Sequence, residues 1–297
     1  MPEEQKTTKP RLKIAHVFFI DMVGYSKLMF ICFVAAAFCV SASHALAKPI
    51  SFTEVRIPTQ QHRVRLDLYQ PNDPPSLGYG AASQEPHATI LLLYGAGGLA
   101  FDGARMRVYA QQLVRAGYIV YLLHYLDDTG GFMAGPWNYR KDFDEWVEAV
   151  RYAIAWIHKQ PASSAPIGIY GYSLGGFIAL EAASDNSQVG AVVDHAGGWV
   201  EGKMKPLGRM PPLLLVHGQR DHRVPYKKYV QPLFSYLEQN HIAYESRVYP
   251  KQGHKFKPAE LEEVRTLAIE FFRQHLKPAG SATAKSQRPG SVKPLNR

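Results

Sequence analysis

The stretch "PIGIYGYSLGGFIAL", residues 166–180, decides the fold of this chain. A short apolar run leads into "GYSLGG", residues 171–176, and apolar residues then return at helical spacing. This order predicts a buried strand, a sharp turn and a helix, with Ser173 presented at the turn in the frame G-x-S-x-G. Glycine is needed at 171 and 175 because side chains there would collide with the neighbouring strand and helix. Ser173 is therefore a candidate nucleophile, and its alternative role is that of a helix cap.

The composition bounds the class of protein. The chain has 297 residues, of which 46% are hydrophobic and 20% charged, a balance typical of globular domains. The net charge of +9 lies mostly at the two ends, since residues 1–47 carry +2 and residues 277–297 carry +5. The remaining body is nearly neutral, unlike a surface that follows phosphates. We therefore predict no nucleic-acid partner.

The N-terminal region has the pattern of a signal peptide, spanning about residues 22–47. Lys27 precedes an apolar run at residues 28–40, which is too short to cross a bilayer, and the small residues Ala45 to Ala47 follow. We expect cleavage after Ala47, a secreted or periplasmic protein and no stable membrane insertion; an uncleaved anchor is the alternative. Both cysteines, Cys32 and Cys39, lie in the apolar run, so the mature chain would have none.

From residue 50 onward strand and helix patterns alternate. "SFTEVRIP" and "RVRLDLYQP" alternate apolar and polar residues, as an antiparallel pair with one solvated face does, and residues 71–86 form a loop. Strands that are continuously apolar then alternate with helices predicted over residues 105–117, 137–160, 174–183, 226–241 and 259–275. This order predicts one α/β domain, residues 48–277, with a mostly parallel central sheet, an antiparallel N-terminal strand pair and helices on both faces. A basic, disordered tail, residues 278–297, follows.

Two further strand ends carry groups that would activate Ser173. A hydroxyl is a weak nucleophile at neutral pH and needs a base. His254 follows the last strand, and Asp221 follows the strand before it. The chain order Ser…Asp…His is that of α/β-hydrolases. Asp194 is the alternative acid, in which case Asp221 would only cap its own turn. His217 and His222 are the alternative bases, but both lie too near Asp221 in the chain to approach it from another loop.

Backbone N–H groups are expected to bind the oxyanion that such an attack creates. Leu174 directly follows the nucleophile, and the glycine-rich loop after "TILLLYG" offers Ala96 as first choice and Gly97 as second. The same loop fits the dinucleotide pattern G-x-G-x-x-A, with Ala100 at its end. We discount this alternative because two strands precede it and the next acidic residues lie too far along the chain.

No cofactor or metal is expected. The histidines are scattered without an H-E-x-x-H pair, and the set His217, Asp221 and His222 comes closest to a metal-ligand cluster. Residues 14–28 resemble the opening strand of class III nucleotide cyclases, with Asp21 at the position that binds metal there. The rest of the chain does not continue that pattern, so we predict no cyclase activity.

Several motifs together resemble the dienelactone hydrolase family of the α/β-hydrolases. They are "TILLLYGAGGL", "YAQQLVRAGYIVYLLHYL", "GYSLGG", "MPPLLLVHGQRDHRVP" and "RVYPKQGHKF", and the match runs from about residue 88 to 276. The resemblance implies cofactor-free hydrolysis of ester or lactone bonds through an acyl-enzyme. The chain departs from the founding members in having Ser173 in place of a cysteine and Tyr94 near the position of a glutamate.

The sequence therefore predicts a serine hydrolase that acts on a small-molecule ester or lactone, with Ser173, His254 and Asp221 as its catalytic residues. A peptidase or acyltransferase would use the same groups. A binding protein on an inactive hydrolase scaffold is the alternative from a different class. Residues 127–139 are expected to form a lid, and Trp199 is expected to line the pocket.

Overall fold

The computed structural model describes residues 50–60, 62–71, 88–160 and 166–276. The predicted signal peptide with its cleavage site after Ala47, both cysteines, the cyclase-like residues 14–28 and the basic tail 278–297 lie outside this part of the chain. The predicted loop at residues 71–86 also lies outside it, apart from residue 71. These assignments remain predictions. The described residues belong to one compact unit.

Eight strands of the described residues form one mixed sheet in the spatial order β1-β2-β4-β3-β5-β6-β7-β8. The strand β1 pairs antiparallel with β2, β2 pairs antiparallel with β4, and all other pairings are parallel. The predicted antiparallel pair and the mostly parallel sheet are therefore confirmed. The strands are β1 (Thr53–Pro58), β2 (Arg63–Tyr69), β3 (Thr89–Leu93), β4 (Ile119–Leu123), β5 (Ile167–Tyr172), β6 (Val189–His195), β7 (Leu213–Gly218) and β8 (Glu245–Tyr249).

Helices connect the parallel strands and cover the sheet. Every residue of β3, β4, β5 and β7 is buried, as expected for strands with helices on both faces. A 3-10 turn, Tyr125–Thr129, follows β4. The α-helices are α1 (Gly98–Arg115), α2 (Tyr139–His158), α3 (Leu174–Ala183), α4 (Tyr226–Tyr229), α5 (Gln231–Gln239) and α6 (Pro258–His275). None of the helices in the described ranges is both long and apolar enough to span a bilayer.

Helix α1 begins seven residues earlier than the sequence predicts. The apolar spacing indicates a helix from residue 105, but the structure starts it at Gly98. Gly98 has a φ of 61° and lies so close to the carbonyl of Phe132 that a Cβ would collide with it, so only glycine fits here. The sequence does not indicate this helix start, because the neighbouring residues are glycines and Gly97 has no side chain that could cap the helix.

The helix predicted over residues 226–241 is divided in two. Helix α4 ends at Tyr229 and α5 begins at Gln231, with Val230 between them. Pro232 explains the break, since it lacks the N–H that a continuous helix would use and its ring crowds the preceding turn. At the break, the carbonyl of Tyr229 accepts a hydrogen bond from the N–H of Trp199, outside both helices, at 3.1 Å.

Candidate active site

Ser173 lies at the sharp turn between β5 and α3. Its backbone is in an unusual conformation for a residue with a side chain, with φ 55° and ψ −119°, and such conformations persist only where the surrounding structure holds them. The N–H of Ser173 donates to the carbonyl of His195 at 2.8 Å, which ties the turn to β6. Its side chain makes no capping hydrogen bond to α3. The alternative role as a helix cap is therefore wrong, and the turn presents the hydroxyl.

The glycines around Ser173 leave no room for side chains. A Cβ on Gly171 would collide with the backbone of Gly175, and a Cβ on Gly175 would collide with the carbonyls of Leu93 and Tyr94. Because these glycines have no side chains, helix α3 packs directly against the ends of β3 and β5 and the turn is tight. The predicted reason for the G-x-S-x-G frame is confirmed.

Asp221 follows β7 and uses its two carboxylate oxygens for different purposes. Oδ1 accepts the backbone N–H groups of Arg223 and Val224, each at 2.8 Å. Oδ2 accepts a hydrogen bond from Nδ1 of His254 at 2.7 Å. Asp221 therefore both caps its turn and binds the histidine, although the sequence presented these roles as alternatives. Burial raises the pKa of Asp221, but its contacts with His254 and the N–H of Val224 outweigh burial and leave the pKa below its ordinary value.

His254 is the histidine that the structure brings to this carboxylate. Because a carboxylate can only accept, the contact fixes the proton on Nδ1 and leaves the lone pair of Nε2 free to take a proton. His222 is exposed. His217 is buried, with Nε2 2.9 Å from the carbonyl of Val224 and 3.4 Å from Oδ2 of Asp221, and burial lowers its pKa.

Tyr172 connects the serine turn to the histidine loop, a contact that sequence reasoning missed. Its hydroxyl donates to the backbone carbonyl of His254 at 3.1 Å, and the two rings lie 5.4 Å apart between centroids. Since Tyr172 immediately precedes Ser173, this contact brings the ends of β5 and of the His254 loop together. No sequence pattern marks it, because it depends on where a tyrosine hydroxyl reaches in the folded chain.

The glycine-rich loop after β3 lies beside Ser173. A Cβ on Gly95 would stand 3.2 Å from the Cβ of Ser173. The N–H of Gly98 donates to the carbonyl of Gly95 at 3.0 Å, so Ala96 and Gly97 occupy the middle of a turn. The carbonyl of Ala96 accepts the N–H of Ala134 at 2.7 Å, which fixes the orientation of the loop. The structure thus places the glycine-rich loop beside the candidate nucleophile, and the roles of Ala96 and Gly97 as donors stay predictions.

Leu174 is the first residue of α3. The first N–H groups of a helix have no partner within it and point out of its N-terminus, where they favour negative charge. Leu174 therefore directly follows the candidate nucleophile at a helix N-terminus, and its role as an oxyanion donor stays a prediction.

Asp194, the alternative acid, has a different environment. Its carboxylate is buried between Gly176 and Gly197 and accepts the N–H of Gly197 at 2.9 Å. Burial raises the pKa of Asp194 to about 7, and the hydrogen bond offsets this only in part. The carboxylate that meets a histidine is thus that of Asp221, while Asp194 packs beneath the serine turn.

The raised pKa of Asp194 predicts a change of stability with pH. In the folded state Asp194 holds its proton up to about pH 7, whereas its ordinary pKa is 3.8. The folded state thus binds more protons between these values, so the free energy of unfolding should fall as pH rises from about 4 to 7. Asp194→Asn removes this effect, which at about 1.36 kcal/mol per pKa unit reaches a few kcal/mol.

Urea unfolding of wild type and Asp194→Asn at several pH values measures this difference. As pH rises towards 7, the free energy of unfolding of the variant is expected to increase relative to that of wild type. Above pH 7 this difference should remain. The exposed Asp144 provides the control variant Asp144→Asn. Parallel stability curves for wild type and Asp194→Asn would contradict the prediction.

Two other predicted features have contacts that the sequence does not show. Trp199 is buried; its ring lies 4.5 Å from that of Tyr236 between centroids, so it packs towards α5. The predicted lid begins within the 3-10 turn and is joined to the glycine-rich loop through Ala134. Phe132 and Trp137 in this segment are 75% and 69% exposed.

Among the described residues, no three His, Cys, Asp or Glu side chains are arranged to hold a metal ion.

The sheet order, the strained serine turn and the acid and histidine after the last two strands define an α/β-hydrolase. The model of the dienelactone hydrolase family matches residues 78–276, about two thirds of the chain. The chain therefore belongs to the dienelactone hydrolase family, and it is a hydrolase that acts on esters. The resemblance that the motifs indicate is confirmed.

Solved structures show the same fold at low sequence identity. A dienelactone hydrolase from Anabaena variabilis is 24% identical, with a TM-score of 0.59, and the match covers 77% of this chain and 100% of that one. An esterase from Pyrococcus furiosus is 17% identical, with a TM-score of 0.57 and coverages of 80% and 98%. An α/β serine hydrolase without a lid from Xanthomonas campestris is also 17% identical, with a TM-score of 0.56 and coverages of 80% and 98%. No curated protein matches the chain.

Proposed function

We propose that this protein is a serine carboxylic-ester hydrolase that works through an acyl-enzyme on Ser173. The observation that carries the proposal is the 2.7 Å hydrogen bond between Nδ1 of His254 and Oδ2 of Asp221, in a loop that Tyr172 joins to the Ser173 turn. This bond orients the imidazole and prepares Nε2 to act as a base. The substrate class is a small-molecule ester or lactone.

The reaction proceeds in two halves. The oxygen of Ser173 attacks the ester carbonyl while Nε2 of His254 takes the hydroxyl proton, and the N–H groups of Ala96 and Leu174 donate to the developing oxyanion. Collapse of the tetrahedral intermediate breaks the bond to the alcohol, which receives the proton from His254. Water then gives up a proton to His254 and attacks the acyl group on Ser173. The acid is released, and the proton returns to the serine oxygen.

Asp221 stabilises the imidazolium that forms in each half. It remains ionised throughout, because its pKa lies below the ordinary value even though the carboxylate is buried. The two backbone N–H donors to Oδ1 hold the carboxylate plane, so Oδ2 stays directed at His254. The imidazole therefore keeps the tautomer that removes a proton from Ser173.

The segment Asp127–Tyr139 is proposed as the lid over the apolar part of the substrate. Its support is the hydrogen bond from Ala134 to the carbonyl of Ala96, which attaches the segment to the oxyanion loop. The exposed rings of Phe132 and Trp137 offer apolar surface in the same segment. An alkyl or aryl group of the ester contacting these rings would lie over the loop that binds its carbonyl oxygen.

A fluorophosphonate probe tests the nucleophile without assuming a substrate. Phosphonylation of an activated serine is expected to add one probe mass to the peptide that contains Ser173, because His254 deprotonates that hydroxyl. The labelled peptide is identified by mass spectrometry. Ser246, exposed on β8, is the matched control, and Ser246→Ala should label like wild type.

The outcomes of labelling separate the possible functions. Folded protein that stays unlabelled would overturn the serine mechanism and favour a binding protein. For labelled protein, a panel of esters, lactones and aminoacyl amides determines the bond that is cleaved. Preferential cleavage of the amides would replace the esterase proposal by a peptidase.

A further inference from the structure

We propose that Asp102 and Arg105, one turn apart on α1, form a positioning pair that holds the oxyanion loop in register with the His254 loop. The inference rests on the proposed function for its catalytic consequence. Neither residue is itself a candidate nucleophile, acid or base, and the motifs in the sequence do not point to either. The pair acts through the backbone of Gly95 on one side and the side chain of Tyr172 on the other.

Asp102 lies directly behind the oxyanion loop. Its side chain is 8% exposed, and a Cβ on Gly95 would stand 2.8 Å from Oδ2. Burial raises the pKa of Asp102, while the positive charges of Arg105 and Lys255 and a hydrogen bond with the backbone of Gly95 oppose that rise. A carboxylate buried this far needs such partners, since an unpaired charge would be strongly unfavourable there. Its contact with Gly95 constrains the residue that precedes the donor N–H of Ala96.

Arg105 extends the link towards the base. Its Nη2 donates to Oδ1 of Asp102 at 3.3 Å, and its guanidinium carbon lies 4.4 Å from the centroid of the Tyr172 ring. Tyr172 in turn donates its hydroxyl to the carbonyl of His254. The chain of contacts therefore runs from Gly95 through Asp102, Arg105 and Tyr172 to His254. It joins the loop that binds the oxyanion to the loop that carries the base.

The geometry explains why such a link matters for catalysis. An oxyanion donor acts only when its N–H meets the position that the oxygen occupies in the transition state, and displacement by about 1 Å can lower a rate roughly 100-fold. The glycine-rich loop has little side-chain packing of its own to hold it. The Asp102–Arg105 pair supplies a fixed contact from a helix, which is more rigid than a loop.

The test compares Asp102→Ala and Asp102→Asn with wild type. We expect Asp102→Ala to lower kcat for an activated ester by about 10- to 100-fold while KM changes little, because the donor moves but the substrate surface does not. Asp102→Asn keeps an acceptor for Gly95 and should recover part of kcat. Glu148→Gln is the matched control, since Glu148 pairs with Arg151 at the same helical spacing on α2. Kinetic values are normalised to folded protein, so loss of stability alone moves neither kcat nor KM.

Hydrogen exchange provides a measurement that does not depend on activity. In Asp102→Ala, the amides of residues 95–98 should exchange about 10-fold faster or more, while Glu148→Gln leaves them unchanged. Unchanged exchange and unchanged kcat in Asp102→Ala, with Ser173→Ala inactive, would overturn this inference and leave the proposed function intact. If Ser173→Ala keeps full activity, the proposed function fails, and the exchange rates alone then decide whether Asp102 holds the loop.

Discussion

Ser173→Ala is expected to lower kcat/KM for p-nitrophenyl acetate by at least about 10,000-fold. The variant keeps the oxyanion donors, His254 and Asp221, but it has no atom that can form the acyl-enzyme. What remains is attack by water, helped only by bound donors and by proximity. We expect the residual rate to show no burst of p-nitrophenol, because a burst requires an acyl group to accumulate on the protein.

The fold should survive this substitution. Alanine at position 173 must adopt the same positive φ as serine, so the backbone strain is unchanged, and the serine side chain makes no capping bond that could be lost. Near-ultraviolet circular dichroism and the urea midpoint check this directly. Ser246→Ala serves as the control for removal of an exposed hydroxyl. Ser173→Ala protein that is folded and retains a tenth or more of wild-type activity would refute the acyl-enzyme.

The departure at position 94 supports a mechanism that depends on the histidine. Tyr94 is buried and stacks on Tyr125 with ring centroids 4.7 Å apart, and its hydroxyl accepts the N–H of Leu126. Burial raises the pKa of Tyr94, so this side chain stays neutral. Position 94 thus has a packing role here, and it offers no carboxylate near the nucleophile. In the proposed mechanism, His254 and Asp221 therefore activate Ser173.

The sequence predicted those candidate site residues that lie in loops after strands. Ser173, Asp221 and His254 each come after a recognisable strand, and parallel strands bring such positions to one edge of the sheet. The roles proposed for Asp102 and Arg105 were not predicted, because the predicted helix began only at residue 105 and therefore excluded Asp102, the partner of Arg105. Glycine-rich sequence normally indicates a loop, so the prediction missed the first two turns of α1, which begin beside the candidate site.

The sequence also did not indicate the contacts between side chains and the backbone. The two oxygens of Asp221 bind three partners at once, the N–H groups of Arg223 and Val224 and the ring of His254, whereas residue patterns present turn cap and catalytic acid as competing choices. The break at Val230 was foreseeable from Pro232, because proline interrupts the hydrogen bonds of a helix interior. The apolar spacing across that region favoured one continuous helix instead. At this position the proline predicts the helix break better than the apolar spacing does.

Asp221→Asn is expected to reduce kcat by about 1,000- to 10,000-fold while leaving the fold intact. The backbone N–H groups of Arg223 and Val224 require an acceptor, so the amide oxygen should take the place of Oδ1. The amide nitrogen must then face Nδ1 of His254. Because this nitrogen is a donor, the imidazole is driven to the tautomer with its proton on Nε2, and it can no longer take the proton of Ser173.

Steady-state kinetics across pH 6 to 9, together with fluorophosphonate labelling, measure the effect. Labelling of Ser173 should slow in parallel with kcat, since both need the same base. Asp194→Asn is the matched control, because it makes the same chemical change at a buried carboxylate that accepts the N–H of Gly197. It should retain activity within about threefold, because an amide oxygen can accept that bond equally well. If Asp194→Asn were the inactive variant and Asp221→Asn the active one, the acid would have to be reassigned to Asp194 and the orientation of His254 explained by another group.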